Sequence, residues 1–351
     1  MPPEPVMPQF SVRQFPPAYF AMVMATGIIS LAAHAQHLQR LADGLFYLNL
    51  VLYPVFLLLM LTRVLRFFGE VKTELTSHEK GATYLALVAA TCLVGNQLVQ
   101  LRGQQTLGLA LWGFAGVCWA LLLYGFLLGV TLRRQKPPLE TGLGGDWLLL
   151  VVSTQSLVIL GAGIVPQLPG PAGMGTLLVL GLFLLGSLFY VMLSTLLFYR
   201  LTFVRVEEQE VGASYWICVG GSAITVLAGI TLLPALAAVP ALAGVAGFVK
   251  GWSMLFWVVS TWWIPFVAVL RAWHHVQARP PFSYQPTYWS MVFPLGMYAA
   301  CTGRLAKELA LPALQLLSTA FLYLALLAWA LMLLGMLYHL FAPTAKAPTS
   351  A

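Results

Sequence analysis

The chain has 351 residues, of which 60% are apolar and only 8% charged, and its mean hydropathy is +0.85. A soluble domain carries about 25% charged residues, so this composition excludes a soluble or disordered chain; apolar runs from end to end also exclude an enzyme on a single anchor. The net charge of +7 has no long Lys/Arg cluster behind it, so it belongs to membrane topology and not to a nucleic-acid partner.

Ten apolar runs follow one another at about 16–36, 44–66, 83–101, 107–131, 147–166, 174–198, 214–234, 246–270, 288–303 and 313–340. As helices they satisfy their own backbone in lipid. None has the period-two alternation of a barrel strand. The first run lacks the basic start and cleavage site of a secretory signal and reads as the first span. It carries Thr26, Gly27 and Ser30. The third carries Thr91, Gly95, Asn96 and Gln97, and the fifth Ser153, Thr154, Gln155 and Ser156. The seventh has Gly220, Gly221, Ser222 and Thr225, and the ninth Ser290, Pro294, Gly296 and Tyr298. The even runs are mostly greasier, as in LVLYPVFLLLML. The alternation predicts five helical hairpins, each with a polar inner helix and a lipid-facing outer one. Intramembrane polar groups usually face a bundle interior or a water-filled path, and five such helices around one axis would enclose a pore. Small residues also serve close helix packing, and that reading stays open for each single position.

Counting Lys and Arg in alternate connections puts thirteen on one side and five (Arg40, Arg102, Lys250, Arg304 and Lys307) on the other. The positive-inside rule then predicts two cytoplasmic termini. The connections are too short for a folded domain. Residues 1–14 and 342–351 read as cytoplasmic tails around one transmembrane transport domain at 15–341.

Chemistry within the spans is sparse. Cys92, Cys118, Cys218 and Cys301 have no ligand-type spacing, so no metal or other cofactor is expected. Asp43, Asp146 and Glu308 lie only at the ends of runs. This argues for passive conduction over a proton-coupled carrier. An enzyme would need a mid-span base or a His/Glu constellation, and the sequence offers neither. The ninth run, YWSMVFPLGMYAACTGRLAKE, is the most informative. Pro294 removes a backbone donor and predicts a kink. At 100° per residue, Phe293, Met297, Ala300 and Arg304 form one stripe. The residues alone favour a core or lipid-facing ring at Phe293; a plug beneath a positive vestibule at Arg304 is the alternative.

FPPAYFAMVMATGIISLAAH (15–34), KPPLETGLGGDWLLLVVSTQS (136–156) and YWSMVFPLGMYAACTGRLA (288–306) resemble the tellurite-resistance/dicarboxylate transporter family. That family includes bacterial tellurite-resistance channels, malate permease, a sulphite exporter and plant slow anion channels. The resemblance implies an all-α integral membrane protein of ten helices, in five hairpins around a quasi-fivefold pore. It also implies homotrimers. The Phe before Pro in the ninth helix blocks the pore in the channels it resembles; here that residue is Phe293. With only 1–14 and 342–351 outside the spans, the tail-borne kinase regulation of the plant members is not expected.

The sequence therefore predicts an inner-membrane channel or facilitator in the lipid bilayer, passing small inorganic anions. A proton-coupled C4-dicarboxylate or sulphite transporter is the alternative. Phe293 is the expected gate and Arg304 the vestibule charge. The expected lining is Thr26, Gly27, Ser30, Thr91, Gly95, Asn96, Thr154, Gln155, Gly221, Thr225, Pro294 and Met297.

Overall fold

A computed structural model describes residues 11–168, 171, 173–204, 212–278 and 284–341. Of the expected tails, 1–10 and 342–351 lie outside the described residues. Among the described residues ten helices have sixteen residues or more: α1 (Phe20–Ala35), α2 (Gln39–Arg66), α3 (Ala86–Arg102), α4 (Gln105–Thr131), α5 (Leu149–Ile164), α6 (Met174–Phe203), α7 (Ile217–Ala237), α8 (Ala246–Ala278), α9 (Trp289–Leu309) and α10 (Pro312–Phe341). No strand occurs among the described residues. Each helix grows from one apolar run, because a continuous stretch of that length can hide its backbone polar groups only by coiling.

Nine of these segments are long and apolar enough to cross a membrane. The exception is α9, whose last turns carry Arg304, Lys307 and Glu308. It is nonetheless buried along most of its length, packed among α1, α7 and α10.

The odd helices close on themselves. Helix α1 packs on α3, α3 on α5, α5 on α7, α7 on α9, and α9 back on α1. Each even helix packs outside its own predecessor. Among the nine apolar segments, 78–89% of the best window is buried for the inner four and 11–44% for the outer five. The outer helices thus expose long apolar side chains such as Leu58, Leu121 and Leu316, as a lipid contact requires.

Each inner helix is entered through a 3-10 turn: Pro17–Tyr19, Gly81–Leu85, Gly145–Leu148, Ala213–Trp216 and Pro286–Tyr288. At the other end of α3, Gly103 takes the left-handed conformation (φ +67°), and its N–H caps Leu98 and Val99 carbonyls.

Two local expectations change. The connection at 67–82 contains an eight-residue helix, Phe68–Leu75. Residues 11–14 are not wholly free: Val12–Gln14 forms a 3-10 turn, and buried Arg63 donates from Nε to the Arg13 carbonyl at 2.8 Å. Pro294 lies inside a continuous α9, as Pro54, Pro234 and Pro265 do in α2, α7 and α8.

Candidate functional site: two cavities on the ring axis

Two cavities lie inside the ring, one towards each end. The first holds about 350 Å³ and is lined from all five inner helices, by Ala32, Asn96, Ile159, Thr231 and Arg304 among others. These residues belong to the C-terminal halves of their helices. The second holds about 290 Å³ and is lined at the N-terminal ends, by Ala21, Ala86, Leu149, Ile217 and Phe293. The five inner helices therefore run parallel, and the cavities sit in line along their common axis.

Their electrostatics differ. The charged residues of the first cavity are Arg304 and Lys307, with amides from Asn96, Gln100, Gln36 and Gln315. Among the described residues Arg304 has no hydrogen-bond or ion-pair partner, while Lys307 reaches the Ala35 carbonyl at 3.3 Å. The second cavity carries Arg63 and Lys80 against Glu74, Glu79 and Asp146. There, Arg63 bonds Glu74 at 2.9 Å and donates to the Tyr84 hydroxyl, which itself donates to Glu74 at 2.8 Å. Burial acts to raise the Glu74 pKa. Hydrogen bonds from Tyr84 and Arg63, with the charges of Arg63 and Lys80, outweigh it and hold the carboxyl below its ordinary value.

Between the cavities the inner helices carry no charged residue. On α9, Phe293 borders one cavity and Ala300 and Arg304 the other, while Met297 between them is fully buried. Between the two linings the axis is closed, on α9 from Phe293 to Ala299 over about 9 Å and on α1 from Met24 to Ile28 over about 6 Å at 1.5 Å per residue. Phe293 is 2% exposed, and its ring rests on α7 at Gly220. A Cβ at Gly220 would lie 3.3 Å from Phe293 Cε1 and 3.1 Å from Pro294 Cγ. Glycine thus supplies the space in which ring and proline sit.

Of the expected lining, Asn96 borders a cavity; Phe293 and Arg304 do so as well. The other lining candidates border neither. Thr26 accepts a hydrogen bond from Trp329 Nε1 at 2.9 Å. Thr91 meets the Tyr53 hydroxyl at 2.8 Å, and Thr154 accepts from Trp119 Nε1 at 2.9 Å. Gln155 donates to the Phe183 carbonyl on α6, and Ser30 to the Ala42 carbonyl on α2. Thr225 bonds back to Gly221 of its own helix. Gly27, Gly95 and Gly221 make room for Asn49, Leu160 and Tyr190 respectively. Pro294 packs towards Gly220, and Met297 is enclosed. A polar side chain in an apolar helix needs a partner, and here most partners come from outer helices. Close packing was the reading that the sequence left open for these positions.

Sequence reasoning named Gly220 without its contact with Phe293 and Pro294, and missed the grouping of charges at the second cavity and the repeat that builds its rim. An aromatic residue recurs in each of the five 3-10 turns, third in four of them and fourth in Gly81–Leu85: Tyr19, Tyr84, Trp147, Tyr215 and Tyr288. Ala18, Thr83, Asp146 and Thr287, each just before its aromatic, border the cavity. Basic residues at the ends of preceding outer helices meet three of the aromatics: Arg63 with Tyr84, Arg200 with Tyr215, and Arg271 with the Tyr288 ring. The motifs PAYF, ATYL, GDWL, ASYW and PTYW were the available signal. Among the described residues no cluster of His, Cys, Asp and Glu is arranged to hold a metal.

A profile of the SLAC1 family, described as voltage-dependent anion channel, matches residues 14–337. The chain belongs to this family. Two uncharacterized transporters of Methanocaldococcus jannaschii are 24% and 22% identical to it, over 84% and 92% of this chain and 85% and 92% of their own. An uncharacterized membrane protein of Mycobacterium tuberculosis strain H37Rv is 34% identical over 162 residues, 46% of this chain and 82% of that protein. Family membership and the apolar helices together make the chain a multi-pass membrane protein of transporter type.

Proposed function

We propose that the protein is a passive channel or facilitator for small anions, conducting along the axis between the two cavities, with Phe293 as its gate. The observation that carries this reading is the pair of in-line cavities separated by an uncharged, closed stretch that includes Phe293. The Arg304 and Lys307 end attracts anions, and the amides of Asn96 and Gln100 offer polar contacts to a partly dehydrated ion. The lining is accordingly reassigned to cavity residues; the latched threonines of the inner helices serve the scaffold. Helix α9 is the tenth span, and the ring is a quasi-fivefold arrangement of five hairpins. The molecule works as a homotrimer in the cell's inner membrane, with both termini cytoplasmic and the Arg304 cavity facing outward.

One observation favours a second reading. Glu74, Glu79 and Asp146 border the other cavity, so a proton-coupled transporter of dicarboxylates or sulphite has acids near its path. Flux from proteoliposomes separates the two. A channel gives fast downhill chloride or nitrate flux that an imposed pH gradient does not drive. A coupled carrier gives saturable uphill uptake of sulphite or malate, driven by that gradient.

A further inference from the structure

We propose that Trp257 is a positioning residue for the gate: by holding Thr302 it fixes the rotation of α9 and keeps the Phe293 ring on its Gly220 seat. The inference rests on the gate reading of Phe293 and names the element that controls it.

The same kind of contact recurs at all five places where an outer helix meets the next inner helix around the ring. Trp329 bonds Thr26, Tyr53 meets Thr91, Trp119 bonds Thr154, Tyr190 donates to the Cys218 carbonyl at 3.0 Å, and Trp257 Nε1 donates to Thr302 Oγ1 at 3.0 Å. Each contact ties an inner helix at one angular position. In α9 the tie is doubled, as it is in α5, where Trp112 Nε1 also donates to the Leu157 carbonyl at 3.0 Å. Thr261 Oγ1 and the Tyr298 hydroxyl lie 2.7 Å apart, and the Trp257 and Tyr298 rings stack with centroids 6.4 Å apart and planes at 14°.

Thr302 is nine residues beyond Phe293, which at 100° per residue puts it on the opposite face of α9. Tyr298 is five residues on, about 140° away. The latch therefore acts on the back of the helix that carries the ring on its front. A rotation of about 20° would carry a side-chain tip about 6 Å from the helix axis through about 2 Å. Towards Gly220 Phe293 has no such slack, because even one methyl group there would crowd it; on its other side the ring borders the second cavity.

The test uses the full chain in proteoliposomes and reads chloride efflux. Trp257→Phe keeps a ring against Tyr298 but loses the N–H. Thr302→Val keeps the shape but loses the acceptor, and Thr302→Ser keeps the hydroxyl. Both deletions are expected to raise efflux about threefold, the population shift that one membrane hydrogen bond of ordinary strength supports. The double variant should do no more than either single one, and Thr302→Ser should match wild type. In a Phe293→Ala background, where the ring is gone, Trp257→Phe should change nothing. Unfolding temperatures in detergent show whether each variant is folded.

Wild-type efflux from folded Trp257→Phe, with Phe293→Ala raised, would overturn the latch alone. So would an undiminished Trp257→Phe effect in the Phe293→Ala background, or a Thr302→Ser variant that behaves like Thr302→Val. Unchanged efflux from folded Phe293→Ala would remove the gate reading, and this inference with it.

Discussion

Gly220, Phe293 and Pro294 form one packing unit, so a single methyl group at Gly220 is a sharp probe of it. In Gly220→Ala the new Cβ would lie 3.1 Å from Pro294 Cγ, and overpacking of this kind costs about 1–3 kcal/mol. The expected outcome is a folded protein with a lower unfolding temperature and altered anion flux, measured together on one preparation. Glu74 gives a pH prediction. Its carboxyl is held below the ordinary value of 4.5, so its contribution to stability is complete above that value. The contribution is lost as pH falls through the depressed folded value. Glu74→Gln should flatten that part of the acid branch of a melting-temperature profile; an unchanged profile would remove Glu74 from the account. At this scale the residues alone favoured a core or lipid-facing ring at Phe293, and only the family resemblance singled it out as a gate; the ring is buried at the border of a cavity. Thr26, Thr91 and Thr154 were not legible. Inner helices are enclosed on nearly every side, so apolar periodicity marks no face, and a hydroxyl there signals a polar partner without giving its direction.

Helix α9 combines a buried body with a charged end. Arg304, unpartnered among the described residues, borders a cavity whose other charged residue is Lys307. Arg304→Ala should leave the fold intact, because the side chain is exposed, yet reduce anion flux and anion-over-cation selectivity in reversal-potential measurements. Unaltered selectivity would mean that the charge plays no part in conduction. Gly103 tests a helix end. Its φ of +67° is costly for an alanine, by about 1 kcal/mol, so Gly103→Ala should lower the melting temperature without touching flux. Elements were the most legible scale: every apolar run became a long helix. The helix Phe68–Leu75 escaped because it is short and partly polar, with Glu70, Lys72, Thr73 and Glu74. Helix α9 shows why hydropathy alone falls short: a helix enclosed by protein need not be as apolar as one facing lipid.

Closure of the five inner helices unites the molecule, and its repeat appears at two levels, the 3-10 turns of one rim and the aromatic latches behind the ring. A hydrogen bond between membrane helices contributes about 0.6 kcal/mol on average, so five give only about 3 kcal/mol. That is too little to hold the bundle, which rests on packing, but enough to bias helix rotation. The hairpin alternation was legible from polarity. The cavities were not, because their walls join residues from five distant segments and only closure brings these together. Topology has its own prediction: cysteines replacing Arg40 and Arg134 should label from opposite sides of a sealed vesicle with an impermeant thiol reagent, and labelling from one side would overturn the proposed alternation of connections.

The most direct test of the central claim is chloride and nitrate efflux from proteoliposomes holding wild-type protein or Phe293→Ala at matched, folded amounts. The account predicts downhill efflux that rises severalfold in the variant and is not driven by a pH gradient. Efflux equal to wild type from the folded variant would contradict it, and would move the permeation path away from the axis between the two cavities.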